Sequence, residues 1–358
     1  MQQWVFLILT VVLIVCTFAP LSRYEQWWVR GWDFPRLQLF YLSLLLLAAE
    51  LLLLDMSITK SRIMVAAGLG CTIYLSWWIL PYTRLSATEV APAVNPDPGN
   101  SFVIMVSNVF MDNRRAHHLL KVVRDNDPDI LVTLETNAWW EDQLQELEKD
   151  YPYSIKCPLE NRYGMHVYSK LKLIDDKIRY LIERDIPSMR ARVELPSGQM
   201  VQLHFLHPTP PSPTENETSK DRDAELITIA KEVSPEEEFR DTGAGDTDAV
   251  VVTGDLNDVA WSHTTRLFRK ISGLLDPRVG RGMFNTFHAE YSLIRWPLDH
   301  LFHSHHFNLI RIKRLPYIGS DHFPFLVALE LTNDEENKGA GLEATQEDEE
   351  MAEEKLSG

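Results

Sequence analysis

Six short apolar stretches of the sequence have, at one end, side chains that could bind a metal ion or move a proton. The stretches are mostly β-branched, as buried strands would be; four of the polar groups follow their stretch, whereas Asp299 and Asp321 with His322 precede theirs. The polar residues at these ends are Asn108, Glu135, His207, Asp255 with Asn257, Asp299, and Asp321 with His322. One such residue is ordinary, because turns favour polar side chains, but six ends of this composition indicate a shared site.

The residue types in this set indicate the chemistry of the site. Carboxylate and amide oxygens are the ligands that Mg²⁺ or Mn²⁺ prefers, and a nearby histidine can transfer protons near neutral pH. Hydrolysis of a phosphate ester needs a cation for the phosphoryl oxygens, a base for the attacking water and donors for the developing charge. The set therefore favours a phosphate-ester hydrolase with Mg²⁺ or Mn²⁺ as its cofactor.

The elements that must position these residues are short strands separated by amphipathic helices. Periodicity predicts strands at 102–107, 130–134, 200–206, 249–253 and 325–331, and helices at 114–126, 139–149, 220–233 and 262–270. Strands outnumber helices, and many neighbours have hairpin-length connections. This pattern predicts an α+β fold with two packed, mixed sheets flanked by helices rather than one doubly wound parallel sheet.

The motifs around the polar residues resemble the endonuclease/exonuclease/phosphatase superfamily, which includes deoxyribonucleases, AP endonucleases, inositol-polyphosphate phosphatases and neutral sphingomyelinases. The resemblance covers about residues 101–332. It rests on Asn108, Glu135, HPTPP at 207–211, GDLN at 254–257, PLDHLFHS at 297–304 and SDHFP at 320–324, in the order of the family. The resemblance implies a four-layer αββα sandwich with its site at one edge of the two sheets.

The resemblance also implies a set of metal ligands. Glu135 is similar to the principal ligand of the family, with Asn108 and Asp321 beside it. Some members carry a carboxylate two residues after the first asparagine. Here that position is Phe110, and Asp112 is out of register. The sequence therefore matches the family's pattern for one metal position and lacks the carboxylate of the second.

The remaining residues resemble the family's catalytic groups. Asp255 and Asn257 are similar to the pair that positions the attacking water and contacts the scissile phosphate. His322 resembles the catalytic histidine, and Asp299 resembles the carboxylate that orients it. His207 resembles the second histidine of the deoxyribonuclease and sphingomyelinase branches, where AP endonucleases carry a tyrosine.

Charge bears on the substrate. The net charge of −16 excludes a strongly basic protein that coats nucleic acid. Residues 101–332 alone carry a net charge of −8, whereas a domain that binds nucleic acid over a wide surface usually has an excess of basic residues. His207, which resembles the histidine of deoxyribonucleases, still allows nucleic acid as a substrate. The sequence is interpreted as a phosphodiesterase or endonuclease that uses in-line attack of an activated water. The alternatives are a lipid or inositol phosphate-ester hydrolase, and a non-catalytic membrane scaffold with the same fold.

The first 82 residues predict a membrane anchor. Apolar runs at 4–20, 37–54 and 63–82 are each just long enough to cross a hydrocarbon core of about 30 Å. The first connector combines three tryptophans with three arginines, which favour the headgroup layer. We expect a retained, multi-pass anchor of a bacterial inner membrane, contact with the lipid bilayer, and no obligate protein partner.

Three further expectations concern the connections and the orientation. Residues 83–100 contain three prolines and predict a linker that holds the next domain off the bilayer. Residues 333–358 carry ten acidic residues and two lysines and predict a disordered tail. Four basic residues flank the helices on the side of the large domain and two on the other side, a difference that leaves both orientations open.

Overall fold

Two facing β-sheets form the centre of the part of the chain that follows residue 100. The computed structural model describes residues 1–22, 24–234, 249–332 and 336–357. Its strands are β1 (Ser101–Asn108), β2 (Ile130–Leu134), β3 (Tyr153–Cys157), β4 (Met165–Ser169), β5 (Leu173–Arg179), β6 (Ser188–Glu194), β7 (Met200–Leu206), β8 (Val250–Asp255), β9 (Asp299–His303), β10 (Phe307–Arg314) and β11 (Phe325–Leu331). One sheet has the order β10-β11-β1-β2-β4-β3, and the other has the order β5-β6-β7-β8-β9.

The alternation of side chains along the strands builds the core between the sheets. Phe102, Ile104 and Val106 of β1 point into the apolar layer between the two sheets, whereas Met105 points to the outer face. This is the period-two pattern of a strand that is covered on both faces. The inner layer also receives buried side chains from β2, β7, β8 and β11.

Helices cover the outer face of each sheet. The described residues form the helices α1 (Gln2–Phe18), α2 (Trp27–Arg30), α3 (Arg36–Leu53), α4 (Thr59–Ile79), α5 (Ala116–Asn126), α6 (Ala138–Leu144), α7 (Lys220–Glu232), α8 (His263–Ser272) and α9 (Gln346–Ser357), of which α5 to α9 lie on the sheets. Helices α5 and α6 pack on the six-stranded sheet, and α7, α8 and α9 pack on the five-stranded sheet. The predicted two-sheet sandwich with flanking helices is therefore confirmed.

Strand direction brings the predicted polar residues to one edge. Strand β1 runs parallel to β2, and β7 runs parallel to β8, so the residues that follow these strands lie at the same end of each sheet. Strand β9 runs antiparallel to β8, and its first residue, Asp299, pairs with Asp255 at the end of β8. Residues 321 and 322 precede β11, which is antiparallel to β1 and therefore begins beside the end of β1.

Three N-terminal helices are long and apolar enough to cross a membrane, over Gln2–Leu21, Arg36–Leu53 and Thr59–Tyr82. They pack on one another through small and apolar side chains, and Thr72 donates a hydrogen bond to Ser43 between α4 and α3 at 2.9 Å. Arg23, one of the basic residues counted for the orientation, lies outside the described residues.

Residues 83–100 do not hold the large domain away from these helices, which corrects the expectation of a free linker. Tyr82 donates a hydrogen bond to the carbonyl oxygen of Ala260 at 2.6 Å, directly at the end of the third apolar helix. Val90 is buried in the layer between the sheets, and Glu89 forms a buried ion pair with Arg269 at 2.5 Å. The segment follows the domain surface because it carries apolar and charged groups that find partners there.

The acidic C-terminal segment is also ordered where it is described, although the sequence predicted disorder. Helix α9 buries Ala352 against α7 and α8, and its acidic side chains pair with lysines of those helices. Helix α9 also contributes a basic side chain, because its Lys355 pairs with the buried Asp223 of α7 at 2.5 Å. The mean charge of the segment predicted repulsion, but the partners of its charges lie on the domain. Residues 333–335 and 358 of the predicted tail lie outside the described residues.

Candidate active site

A cavity of about 320 Å³ opens at the edge where the ends of the strands meet. Seven of the eight side chains chosen from the sequence line it, namely Asn108, Glu135, His207, Asp255, Asn257, Asp321 and His322. The eighth, Asp299, is buried directly behind His322. The structure therefore brings the whole predicted set together, from loops that are up to 214 residues apart in the chain.

His322 lies between two buried carboxylates. Its Nδ1 is 2.8 Å from Oδ2 of Asp299, and its Nε2 is 3.4 Å from Oδ2 of Asp255. Burial alone would lower the pKa of His322, but Asp299 and Asp255 outweigh it and raise the pKa to about 10. The two carboxylates therefore favour the imidazolium form of His322, with Nδ1 hydrogen-bonded to Asp299 and Nε2 on the side of Asp255 and the cavity.

The second histidine has the opposite character. Nε2 of His207 is 4.0 Å from Oδ2 of Asp255, and Nδ1 is buried with no hydrogen-bond partner among the described residues. Burial lowers the pKa of His207 to about 4, because the carboxylate of Asp255 compensates for it only in part. The site thus pairs a protonated His322 with a neutral His207 around one carboxylate.

Asn257 holds the loop after β8 against the loop after β7. Its backbone N–H donates to Oδ1 of Asp255 at 3.0 Å, and its side-chain amide donates to the carbonyl oxygen of Pro208 at 2.9 Å. The residue has a φ of 51°, which an asparagine tolerates better than most side chains. Position 254, directly before Asp255, requires glycine, since a Cβ there would lie 1.9 Å from the carbonyl oxygen of Leu206.

Glu135 sits directly after β2 in the left-handed region, with a φ of 60°, which is uncommon for glutamate and occurs at functional sites. Asn108 donates from Nδ2 to Oε1 of Glu135 at 2.9 Å and to Oδ2 of Asp255 at 3.2 Å. Burial and then the neighbouring Asp321 carboxylate raise the pKa of Glu135 to about 7, against the hydrogen bond from Asn108. Asn108 thus links the two carboxylates.

The Glu135–Asp321 pair has the character of a cation site. The negative charges of Glu135 and Asp321 repel each other. Across the described ranges, no lysine or arginine forms an ion pair with either carboxylate to compensate for this repulsion. A divalent cation with oxygen ligands would relieve this repulsion. The oxygen of Asn108, the third predicted ligand, accepts a hydrogen bond from the N–H of Phe110 at 3.0 Å, so in this arrangement its amide nitrogen faces Glu135.

A second group of acidic and imidazole side chains lies within reach of one ion. Ligand atoms of Asp255, Asp299 and His322 all lie within 4.8 Å of one another. However, the Nδ1 atom of His322 is already bonded to Asp299 at 2.8 Å, which is the geometry of an oriented histidine. The donor set therefore fits a cation better at Glu135 and Asp321.

Two cavity residues, Arg162 and Tyr163, were not found from the sequence. They precede β4, which runs antiparallel to β2, so the start of β4 lies at the same edge as the end of β2. The Tyr163 ring lies against His207 at a tilt of 44°, with ring centroids 5.1 Å apart, and its hydroxyl group donates to Glu215. Arg162 pairs with Asp112 at 2.8 Å. The sequence pattern did not predict β4, so it gave no reason to select the residues just before that strand.

Two further aromatic residues complete the wall. Phe287 lies beside His322, with ring centroids 4.9 Å apart. Phe34 lines the same cavity, although it comes from the connector between the first two apolar helices. Nothing within the domain sequence could have indicated Phe34, because it precedes the domain by more than 60 residues.

Solved structures with the same fold are distant in sequence. A humanized D. rerio TDP2 matches with a TM-score of 0.52 and 16% identity, covering 64% of this chain and 99% of that chain. The human Nocturnin catalytic domain matches with a TM-score of 0.51 and 15% identity, covering 65% and 95%. An endonuclease/exonuclease/phosphatase from Bacteroides vulgatus matches with a TM-score of 0.51 and 16% identity, covering 64% and 99%. At these identities the likeness shows the fold alone.

No curated protein matches the chain significantly in sequence. The family model for the endonuclease/exonuclease/phosphatase family does match, over residues 105–322. This range contains all eight side chains of the site and more than half of the chain. Members of the superfamily are phosphoester hydrolases and generally use divalent metal ions. The chain therefore belongs to the endonuclease/exonuclease/phosphatase family.

Proposed function

We propose that this chain is a membrane-anchored phosphodiesterase that depends on Mg²⁺ or Mn²⁺ and hydrolyses its substrate by in-line attack of water on phosphorus. The observation that carries the proposal is the position of His322. It faces the cavity between Asp299 and Asp255, in the same cavity as the carboxylates of Glu135 and Asp321. Such a set can activate water, stabilise a phosphoryl group and hold a cation.

Each polar group has a defined task in this proposal. Oδ1 of Asp255 is held by the N–H of Asn257, and Oδ2, which also accepts a hydrogen bond from Asn108, orients the attacking water and accepts its proton. His322, whose imidazolium form Asp299 stabilises, donates its Nε2 proton to the leaving ester oxygen as the bond from that oxygen to phosphorus breaks, so that the product leaves as an alcohol. His207, which is neutral, donates to a second oxygen of the phosphate. Glu135 and Asp321 would hold the cation, which neutralises charge on the phosphoryl group when bound.

The N-terminal helices support the anchored form of the proposal. Three helices have the length and composition of membrane spans, and each exposes apolar side chains that water would hydrate poorly. Three crossings place the first connector and the domain on the same side of the bilayer. The contact of Trp261 with the connector, through a hydrogen bond from Nε1 to the carbonyl oxygen of Asp33 at 2.8 Å, agrees with this arrangement.

The test is hydrolysis of a soluble chromogenic phosphodiester by the full-length protein in detergent, with Mg²⁺ or Mn²⁺. We expect turnover by the parent protein and a loss of about 10³-fold in Asp255→Asn and in His322→Ala. Asp125→Asn is the matched control, because that carboxylate is exposed on α5. A folded parent protein that turns over neither diesters nor monoesters would remove the proposal and favour a non-catalytic scaffold.

A further inference from the structure

The wall of the active-site cavity is built partly from the membrane anchor. Phe34 lines the cavity, and α3 begins two residues later, at Arg36. The Phe34 ring packs edge-to-face on Trp296, with centroids 5.6 Å apart. Helix α3 is one of the three candidate spans, so this wall lies where the apolar part of the helix begins. The cavity is therefore located at the membrane end of the domain.

The segment 285–298, which we call the interface loop, connects the catalytic histidine to the same helix. At its base, Phe287 pairs with His322 as an antiparallel bridge, and the N–H of Ala289 donates to the carbonyl oxygen of Asp321 at 2.6 Å. At its tip, Gln38 of α3 donates to the carbonyl oxygen of Leu293 at 2.9 Å. One loop thus spans the distance from the site to the boundary of the apolar helix.

The tip of the interface loop is apolar and exposed. Leu293 is 83% exposed, Tyr291 is 58% exposed and Ile294 is 48% exposed, next to a hydrogen bond that places them at the start of α3. The connector adds exposed Tyr24 and Trp28, residue types that favour the headgroup layer. Apolar side chains grouped at such a position, continuous with the candidate spans, are expected to enter a bilayer rather than water.

We infer that the cavity opens on the headgroup layer of the bilayer crossed by α1, α3 and α4, and that the substrate is an amphiphilic phosphoester resident in that bilayer. This inference rests on the proposed function and names its substrate class. The phosphoester reaches His322 past Phe34 and Phe287, while the apolar chain stays in the leaflet beside the tip of the interface loop. Among the described residues that line the cavity, Arg162 is the one arginine or lysine, and a single cation is too few for an extended polyanion.

The inference is tested with two diesters that share the reacting phosphorus and the leaving group. Methylumbelliferyl hexadecyl phosphate partitions into bilayers, and methylumbelliferyl ethyl phosphate stays in water. Full-length protein in phosphatidylcholine vesicles is given each ester, and the ratio of the two kcat/KM values is measured. The variant Leu293→Asp/Ile294→Asp should lower the rate on the hexadecyl ester about tenfold and leave the rate on the ethyl ester unchanged. Val94→Asp is the control, since Val94 is 78% exposed and does not line the cavity.

The outcomes separate the inference from the function on which it rests. Equal effects of the loop variant on both esters, or faster hydrolysis of a soluble oligodeoxynucleotide than of the hexadecyl ester, would overturn the inference while the proposed function stands. Failure of a folded parent protein to hydrolyse either ester or the oligodeoxynucleotide would remove both.

A second measurement covers the case in which the loop variant does not fold. Leu293→Cys and Val94→Cys can each be labelled with an environment-sensitive fluorophore, because the native Cys16, Cys71 and Cys157 are buried. The label at 293 should be quenched by nitroxide lipids at headgroup depth, and the label at 94 should not. Equal exposure of both labels to water would contradict the inference.

Discussion

Arg222 donates a hydrogen bond from Nη1 to the carbonyl oxygen of Asn257 at 3.0 Å and so connects α7 to the loop that carries Asp255. The guanidinium group is buried and also pairs with Asp223 at 2.9 Å and with Asp258 at 3.5 Å. Because Asn257 in turn holds Oδ1 of Asp255, Arg222 acts on the site from outside the cavity. It is a positioning residue.

Replacement of this guanidinium group should reduce both stability and turnover. In Arg222→Met, two buried carboxylates lose their shared partner, and we expect a loss of about 3 kcal/mol in the free energy of unfolding. The loop at Asn257 then relaxes, so kcat should fall about tenfold or more while KM for a soluble diester changes less. Denaturant unfolding and steady-state kinetics check this, with Arg124→Met, which removes an exposed arginine, as control. Wild-type kcat in a folded Arg222→Met protein would contradict the positioning role.

The C-terminal helix should affect acid stability through Lys355. Burial would raise the pKa of Asp223, but Lys355 and Arg222 outweigh it and hold the pKa well below its ordinary value. A carboxyl group with a lowered pKa in the folded state adds stability above its unfolded pKa of about 4, and this stability is lost as the pH falls through the folded pKa. In Lys355→Met the pKa of Asp223 rises, so this loss begins at a higher pH.

The expected shift in Lys355→Met is an acid-unfolding midpoint about 0.5 pH units higher and a loss on the order of 2 kcal/mol at neutral pH. The measurement is circular dichroism across a pH series, with Lys121→Met on the exposed face of α5 as control. Identical midpoints for parent and variant would mean that α9 does not stay on the domain in solution.

Asp299 should be essential through His322 and not through contact with substrate. In Asp299→Asn, the Nδ1 atom of His322 loses a carboxylate partner at 2.8 Å, so the imidazolium is less stable and its orientation is not fixed. We expect kcat to fall by about 10² to 10⁴-fold with little change in KM. Asp125→Asn should behave as the parent protein. A large rise in KM at constant kcat would instead place Asp299 in substrate binding.

Removal of the cation should abolish activity reversibly. Exhaustive chelation should stop diester hydrolysis, and Mg²⁺ or Mn²⁺ should restore it. Glu135→Gln should raise the half-saturating cation concentration by about tenfold or more, because one of two carboxylate ligands is lost. Glu146→Gln, an exposed glutamate outside the cavity, is the control. Undiminished hydrolysis after chelation would contradict the cation site at Glu135 and Asp321.

The strand ends were predictable because their signal is local. Strands such as β2, β7 and β11 are mostly apolar runs, and their observed bounds are those predicted, while β1 and β8 differ from the prediction by one or two residues at each end. Parallel pairing places Asn108 beside Glu135 in one sheet and His207 beside Asp255 in the other, and the packing of the two sheets brings the two pairs to one edge. The clustering of the site followed from strand direction together with this packing.

The remaining features depend on contacts between distant segments. Arg162 and Tyr163 precede β4, a strand that the sequence pattern did not predict, so no local signal marked them. Phe34 reaches the cavity only because the helix bundle packs on the domain through Tyr82 and Trp261. The sequence predicted a disordered acidic tail because the charges within the tail repel one another. The lysines of α7 and α8 that form ion pairs with the acidic side chains of α9 are far from the tail in sequence.

The most direct test of the account is hydrolysis of the soluble diester in oxygen-18-labelled water by the full-length protein with Mg²⁺. Mass spectrometry should find one labelled oxygen in the released phosphate monoester and none in the released alcohol, and Asp255→Asn should remove both products. Label in the alcohol, or product formation that is unchanged in Asp255→Asn, would contradict attack of water on phosphorus in this cavity.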